Sequence, residues 1–248
     1  MKNQKTLFGQ NTEEAYKLLL KQLEDSKNVK TTTPKTQSIQ APANINPAEY
    51  ITIPSSNILI SKEQMFNNLN FENTHYKLAE NNLFMPTPAI FMPYYSSVIQ
   101  AKQRKINLQD GANNNLKENE VDELYQRLSK NCWVWLNAGF KNENNKEYLI
   151  NYNVKNKSLI EKKQPLEACL KSDGYASLEF NKQGLATKIS GDTKYQQDKN
   201  LYFAYPRNNA VAGFDANSVR VYLNCSWNPT YSFSSLGVFG CAAGVSKK

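Results

Sequence analysis

The chain has 248 residues, which is enough for one large domain or two small ones with a substantial core. Hydrophobic residues make up 40% and charged residues 21%, the composition of an ordinary globular protein. The net charge of +8 comes from 30 basic and 22 acidic residues, but the lysines are scattered and often stand beside acidic residues, so a nucleic-acid-binding protein is the least favoured class.

Membrane and export signals are absent from the sequence pattern. No apolar run approaches the roughly 18 residues that a membrane-spanning helix needs. The first residues carry no apolar stretch of the kind found in secretory signals. We therefore expect no membrane span and a protein made in the cytoplasm, with export by lysis or by a non-classical route left open.

The first predicted element is an amphipathic helix over residues 12–30, with Thr12 as a suitable N-cap and leucines along one stripe. Residues 31–47 are polar, rich in Thr and Pro, and almost free of large apolar side chains, which predicts a linker. The helix either docks on the rest of the protein or mediates self-association. The predicted organisation is a helical appendage at residues 1–30, a linker at 31–48 and one domain at 49–248.

The predicted domain begins with short extended segments over residues 51–60 and continues with helices. A capping-box pattern that starts at Ser61 predicts a short helix. Thr87, with proline at the next position, predicts the start of a second helix, and Pro93 inside it predicts a kink or a delayed start. Apolar residues recur at helical spacing over residues 118–130, which predicts a third helix.

Short strands dominate the predicted structure after the helices. They cover residues 132–140, 147–154, 175–180, 185–189, 201–205, 218–225 and 236–241. The first two flank a turn-forming segment and predict a hairpin, and so do the next two. Helices followed by strands predict an α+β fold, and the absence of alternating strands and helices argues against a Rossmann fold or a TIM barrel.

Residues that carry catalytic chemistry are few. His75 is the only histidine, and its polar surroundings offer no group that would activate a nucleophile. The four cysteines, Cys132, Cys169, Cys225 and Cys241, lack the spacing of a zinc site and are expected to be buried free thiols. No nucleotide-binding or metalloprotease motif occurs. We therefore expect no enzyme, no cofactor and no metal.

The C-terminal stretch over residues 208–246 has an unusual composition. Its only charged residues are Asp215 and Arg220, and its aromatic residues are interleaved with Ser and Asn. This mixture is typical of antibody paratopes, in which rigid rings supply contact area and small polar residues supply hydrogen bonds. Composition alone leaves two interpretations about even, a binding surface or a pair of core strands with a polar loop.

The alternation within residues 219–227 favours the binding surface. Val221, Leu223 and Cys225 fall on one face of the predicted strand. The opposite face carries chemically different side chains, those of Arg220, Tyr222, Asn224 and Ser226. The pattern predicts a regular apolar scaffold face and a heterogeneous outward face.

The same segment carries a family resemblance. Its pattern consists of Phe214, Ala216, Ser218, Leu223, Cys225, Pro229, Ser232, Ser234, Leu236, Gly237 and Val238. Upstream, the Thr-Pro-Ala run at 87–89 and the Asn-Cys-Trp-Val-Trp-Leu run at 131–136 belong to it as well. On these residues the chain, from about Ile60 to the C-terminus, resembles the variable proteins of archaeal diversity-generating retroelements, of the AvpA type, which come from Nanoarchaeota-related organisms.

The resemblance implies a C-type lectin fold in which the variable region, residues 211–238, displays positions altered by adenine-directed reverse transcription. Asn codons of the AAY type reach Tyr, Asp, Ser, Thr, Phe, Val and Gly by such changes. Arg220 and Trp227 depart from this rule, although Trp follows from an AGG-type arginine codon. The implied ligand-binding positions are Asp215, Asn217, Val219, Arg220, Tyr222, Asn224, Ser226, Trp227, Asn228, Thr230, Tyr231, Phe233 and Ser235.

Two activities known for the C-type lectin fold are not expected here. The near absence of acidic residues in the C-terminal stretch argues against a calcium site, which needs a cluster of carboxylate and amide oxygens. Formylglycine-generating enzymes share the fold, but no motif places Cys225 or Cys241 in the position of their catalytic cysteines.

The sequence therefore predicts a ligand-binding protein. Its ligand is unknown, and we expect a macromolecule other than nucleic acid. Trp227, Tyr231, Tyr222 and Phe233 are the expected anchors. The alternative is a structural or attachment protein of a virion or cell surface that acts through oligomerisation of its N-terminal helix. The oligomeric state stays open.

Overall fold

The computed structural model describes residues 6–7, 10–11, 39–40, 45–54 and 56–246. The chain divides into two units, residues 1–37 and 38–248. The predicted helix over residues 12–30 lies outside the described residues, and so does most of the predicted linker.

Three α-helices occur among the described residues, α1 (Phe71–Glu80), α2 (Pro88–Lys102) and α3 (Glu118–Lys130). The strands of the two main sheets are β1 (Tyr50–Thr52), β2 (Ile58–Ser61), β3 (Cys132–Glu143), β4 (Lys146–Lys155), β5 (Ser158–Pro165), β6 (Gly174–Ser177), β7 (Asn200–Ala204), β8 (Val211–Ala216), β9 (Val221–Trp227) and β10 (Cys241–Ala243). The fold is therefore mixed α/β. None of the helices described is long and apolar enough to cross a bilayer.

The large sheet has seven strands in the order β5-β4-β3-β8-β9-β7-β6. Neighbouring strands are antiparallel except β7 and β9, which are parallel. A smaller sheet has the order β10-β2-β1. Short two-residue ladders join Ile39–Gln40 to Val245–Ser246 and, in the first unit, Thr6–Leu7 to Gln10–Asn11.

Helix α1 begins at Phe71 because the side chain of Asn70 accepts a hydrogen bond from the Asn73 backbone N–H at 2.9 Å. The prediction of a helix at Ser61 is wrong. Ser61 is the last residue of β2, and its hydroxyl accepts a hydrogen bond from the Gly240 N–H at 3.0 Å. The Ser61 hydroxyl, which would have capped the predicted helix, instead links β2 by a hydrogen bond to the segment before β10.

Helices α2 and α3 cover the predicted positions. Helix α2 begins at Pro88, where a proline has a helical φ and its missing N–H is not needed. It continues through Pro93, which therefore does not delay its start, and the Ser97 hydroxyl donates to the Pro93 carbonyl at 2.8 Å. In α3 the predicted apolar face is buried.

The predicted hairpin of β3 and β4 is confirmed, and its turn is tighter than the sequence indicates. Glu143 pairs with Lys146, so that Asn144 and Asn145 alone connect the strands. Their φ angles are 51° and 61°, values that asparagine tolerates better than most residues and that suit a two-residue hairpin turn.

Two strands of the large sheet, β8 and β5, are not among the predicted strands. Strand β8 is buried along its whole length, but its Ala, Gly and Asp residues are poor strand formers. Strand β5 is an exposed edge strand with a charged centre. Conversely, the strand predicted over residues 185–189 is present only as isolated bridges from Ile189 and Ala186.

The large sheet separates two buried clusters. On one face, Phe214 of β8 packs against Phe91 and Tyr95 of α2, with ring centroids 4.9 and 5.1 Å apart. On the other face, Trp135 of β3 packs edge-to-face on Phe71 of α1 at 5.6 Å. Helix α1 contacts β4 and β5, so the second face is left outward along β9, β7 and β6. The four cysteines are buried free thiols, as predicted.

Candidate ligand-binding face

Strand β9 presents the two faces that its alternation predicts. Val221, Leu223 and Cys225 are fully buried in the core. Tyr222 and Asn224, which alternate with them, are half-exposed. The prediction of an apolar scaffold face and a heterogeneous outward face is confirmed for this strand.

Five side chains on the outward face follow one another across neighbouring strands, and we call them the aromatic row. In cross-strand register, the row runs from Trp133 on β3 through Asp215, Tyr222 and Tyr202 to Tyr175 on β6. Directly opposed residues of a sheet share a face, so these side chains are neighbours. The ring centroid of Tyr202 is 5.3 Å from that of Tyr175 and 5.3 Å from that of Tyr222, in edge-to-face pairs.

Arg220 lies over the tyrosine end of the aromatic row. Its guanidinium carbon is 4.5 Å from the ring centroid of Tyr222 and 5.3 Å from that of Tyr202, within the range of cation–π contacts. A hydrogen bond to Tyr175 raises the pKa of Arg220. The cation is thus held by tyrosines on three strands.

Asp215 lies between Trp133 and Tyr222 with 8% of its surface exposed. Burial raises the pKa of its carboxyl group to about 7, against the attraction of Arg220, which lowers it. Among the described residues, none donates a hydrogen bond to this carboxyl or forms an ion pair with it. It is the one predicted site residue that the fold buries.

Trp227 differs from the other predicted anchors because it packs on the sheet. Its ring lies edge-to-face on Trp135 with centroids 5.3 Å apart. It also lies over Gly213, where an added Cβ would come within 2.2 Å of a ring carbon. Gly213 therefore makes room for the indole, and Trp227 contributes to the scaffold as well as to the surface.

The loop of residues 228–235 is fixed to the scaffold near both ends. The Pro229 carbonyl accepts a hydrogen bond from the Phe71 N–H at 3.0 Å, at the start of α1. The Ser235 carbonyl accepts one from the side chain of Gln64 at 2.8 Å. The loop therefore spans two anchored points.

Large apolar side chains of the predicted site project into solvent. Tyr231 and Phe233 in the loop are 48% and 39% exposed, and Val219 in the turn between β8 and β9 is 70% exposed. Tyr231 and Phe233 lie in one loop, whereas Val219 lies beyond the other end of β9. Exposed apolar side chains that lie close together are typical of interaction surfaces.

Asparagines at three predicted positions hold local turns. The side-chain oxygens of Asn217, Asn224 and Asn228 accept hydrogen bonds from the backbone N–H groups two residues later, at 2.9, 3.0 and 3.0 Å. Such turns form within the segment itself. Replacing these residues therefore changes local backbone preference without opening the core.

The predicted site residues fall into three groups by exposure. Those exposed are Val219, Ser226, Asn228, Thr230, Tyr231, Phe233 and Ser235. Those half-exposed are Asn217, Arg220, Tyr222, Asn224 and Trp227, whereas Asp215 is buried. Trp133, Tyr175 and Tyr202 are not among the predicted site residues, although each alternates with apolar neighbours in its strand.

A pocket of about 310 Å³ lies beside the loop, lined by residues that include Phe71, Tyr152, Leu159, Pro229 and Thr230. The nearby His75 is a packing residue. Its ring lies 4.8 Å from that of Phe71, and burial lowers its pKa to about 4, so it is neutral at pH 7. In the part of the chain that the structure describes, no three His, Cys, Asp or Glu side chains are grouped to hold a metal ion.

The outward face presents aromatic rings, amides, hydroxyls, one guanidinium and one carboxyl group, held on a sheet and an anchored loop. Comparison with models of protein families, with curated proteins and with solved structures gives no match to this chain.

Proposed function

We propose that this chain is a ligand-binding protein rather than an enzyme, and that residues 211–238 form a recognition surface, diversified by a retroelement, on a C-type lectin-like scaffold. The observation that carries the proposal is how this segment divides by burial. Every position expected to vary is at least partly exposed, except Asp215. Most positions of the resembling pattern in this segment, which are expected to stay fixed, are buried, namely Phe214, Ala216, Leu223, Cys225, Leu236, Gly237 and Val238.

Four other positions of the resembling pattern in this segment are not buried. Ser218, Ser232 and Ser234 are exposed, and nothing in the structure explains why they should be fixed. Pro229 is half-exposed, but its carbonyl anchors the loop to α1. The division by burial therefore holds along β9 and at residues 236–238, and it does not separate fixed from varying positions within the loop of residues 228–235.

Burial matters because substitution is tolerated where side chains do not support the core. Changes at exposed sites typically alter the free energy of unfolding by less than about 0.5 kcal/mol, whereas truncation in a core costs several times as much. A surface on which many positions vary together must therefore be separate from the core. The outward face of β9, apart from Trp227, and the loop of residues 228–235 meet this requirement.

The composition of this face supports affinity as well as tolerance. Tyr222, Tyr231 and Phe233 supply ring area at a low cost in side-chain entropy. The loop is held near both ends, so less conformational freedom is lost on binding.

The proposal is tested by a displayed library of the full chain in which the exposed positions are randomised together. These are Val219, Ser226, Asn228, Thr230, Tyr231, Phe233 and Ser235. We expect most members to fold, and selection against a purified protein such as hen lysozyme to give binders with Kd near or below roughly 1 μM. A matched library randomises exposed residues of strand β5, which lie on the sheet edge.

The two libraries are compared by the number and the affinity of the binders that each one yields. More and tighter binders from the first library support the proposal. Widespread unfolding in the first library, or equal recovery from both, would contradict it, because the face would then be structural or no better than any other exposed surface.

A further inference from the structure

The carboxyl group of Asp215 is a buried acid that the fold leaves without a partner. With 8% of its surface exposed, the residue lies between the rings of Trp133 and Tyr222 on the adjacent strands. Within the described residues, no donor or ion pair satisfies it. Because no donor among those residues satisfies it, this carboxyl group must accept hydrogen bonds from water or from a ligand.

The carboxyl group is directed to the outward face and can be reached from solvent. Phe214 and Ala216 on either side of it point into the core, so the alternation of β8 turns Asp215 the other way. The described side-chain atoms that are both enclosed and unpartnered belong to His75, Tyr94 and Ser129. The Asp215 oxygens are not among these enclosed atoms, so a ligand atom can approach them.

Arg220 does not satisfy this carboxyl group. Its guanidinium is held over Tyr222 and Tyr202 and bonds to Tyr175, and it forms no ion pair with Asp215 among the described residues. The attraction of Arg220 lowers the pKa of Asp215, but burial raises it further.

The other titratable groups around Asp215 do not supply a cation either. They are the phenol of Tyr222 on β9 and the thiol of Cys132 at the start of β3, which faces the opposite, core side of the sheet. Both groups are neutral at pH 7, since their ordinary pKa values of 10.0 and 9.0 lie above 7 and burial raises the pKa of each further.

We infer that Asp215, Trp133 and Tyr222 form a subsite for a cationic hydrogen-bond donor, the guanidinium group of an arginine side chain on a protein partner. This inference rests on the proposed function, because it assigns a ligand chemistry to part of the same face. A guanidinium supplies both the positive charge and the donors that a carboxylate lacks, and it stacks on aromatic rings. Arg220 already stacks in this way on the same row of rings.

A neutral donor fits the subsite less well. It would hydrogen-bond to the carboxylate but leave its charge buried and uncompensated. The indole of Trp133 on the adjacent strand adds attraction for a cation and none of comparable size for a neutral amide, whereas the ring of Tyr222 already carries Arg220.

The test uses the full ¹⁵N-labelled chain and two small probes, acetyl-Gly-Arg-Gly-amide and the same peptide with neutral citrulline in place of arginine. The chain has three tryptophans, so its indole N–H signals are few, and the Trp133 signal is assigned with a Trp133→Phe variant. At pH 8 we expect the arginine peptide to shift the Trp133 signal. We expect the citrulline peptide, and the arginine peptide on Asp215→Asn, to bind roughly tenfold more weakly.

The unmodified chain provides a second readout that does not depend on a variant. Because the pKa of Asp215 is raised to about 7, affinity for the arginine peptide should be highest above pH 7 and fall by more than about tenfold as the carboxyl protonates between pH 8 and 5.5. Asp122→Asn is the matched control, because Asp122 is an exposed acid paired with Lys102 on the helical side of the molecule, and it should leave the affinity unchanged.

Any of three results overturns the subsite. These are no shift of Trp133 with the arginine peptide, equal affinity for both peptides, or affinity that rises as the pH falls. If the subsite fails while the displayed library still gives binders, the proposed function stands and only its ligand chemistry is wrong. If the library fails, the proposed function fails whatever the peptides do.

Discussion

Trp227 and Tyr231 both belong to the predicted recognition surface, yet they contact the scaffold differently. The indole of Trp227 packs on Trp135 and fills the space above Gly213. The ring of Tyr231 is 48% exposed in the loop. At the scale of single residues, the candidate site therefore mixes side chains that hold the fold with side chains that are only displayed.

This difference predicts effects of very different size on stability. Trp227→Ala should lower the free energy of unfolding by about 2–4 kcal/mol, because it opens a cavity beside Trp135. Tyr231→Ala should change it by less than about 0.5 kcal/mol. Urea unfolding of both variants measures this, and a stability loss of similar size in the two would show that Tyr231 is also part of the core.

The raised pKa of Asp215 should make the stability of the chain depend on pH. Its pKa is about 7 in the folded chain against an ordinary value of 3.8, so the folded state binds this proton more tightly. The stability that it contributes is fully present below pH 3.8 and is lost as the pH rises through 7, by up to about 4 kcal/mol. The Asp215→Asn variant should lack this loss.

The measurement is urea unfolding of both chains between pH 4 and pH 8. His75 acts in the opposite direction, since its pKa is lowered to about 4 from 6.5 and its contribution is lost as the pH falls. The difference between the two chains removes that effect. A constant difference across this pH range would contradict the prediction.

At the scale of secondary-structure elements, the sequence predicts those whose pattern is decided locally. Helix α3 and the hairpin of β3 and β4 follow from apolar periodicity and from an Asn-rich turn. Strand β8 could not be predicted, because its poor strand formers are held by pairing with β3 and β9 on either side. The helix predicted at Ser61 fails because its hydroxyl bonds a distant backbone N–H, that of Gly240.

The residues of the candidate site could also be predicted from the sequence only in part. The outward residues of β9 could be predicted from alternation, because the apolar partner face is regular. Trp133, Tyr175 and Tyr202 could not be added, because their place in the aromatic row depends on cross-strand register. The parallel pairing of β7 with β9 in particular joins segments whose order in the sheet no local signal indicates.

The helix starts offer an element-scale prediction with a built-in control. The Asn70 side chain caps α1, so Asn70→Ala should cost about 1 kcal/mol of stability. Thr87 occupies the corresponding position of α2 but makes no side-chain capping bond, so Thr87→Ala should cost much less. Equal losses on thermal unfolding would show that the Asn70 bond is not what sets the start of α1.

At the scale of the whole molecule, the described members of both buried clusters come from the second unit, residues 38–248. We therefore expect a chain limited to these residues to keep its melting temperature within about 3 °C. Light scattering on the full chain and on the shortened chain tests the attachment alternative, in which the first unit drives oligomerisation. A loss of more than about 10 °C would show that the first unit is required for the stability of the second.

The central claim, that this surface is diversified, is tested most directly by sequencing the DNA around the gene. We expect a reverse transcriptase gene nearby and a near-identical second copy of the codons for residues 211–238. That copy should differ chiefly at adenines, in codons for outward positions such as Tyr222, Tyr231 and Phe233, and match at buried positions such as Leu223 and Cys225. A locus without a second copy, or a copy whose differences fall equally on buried and exposed positions, would contradict the account.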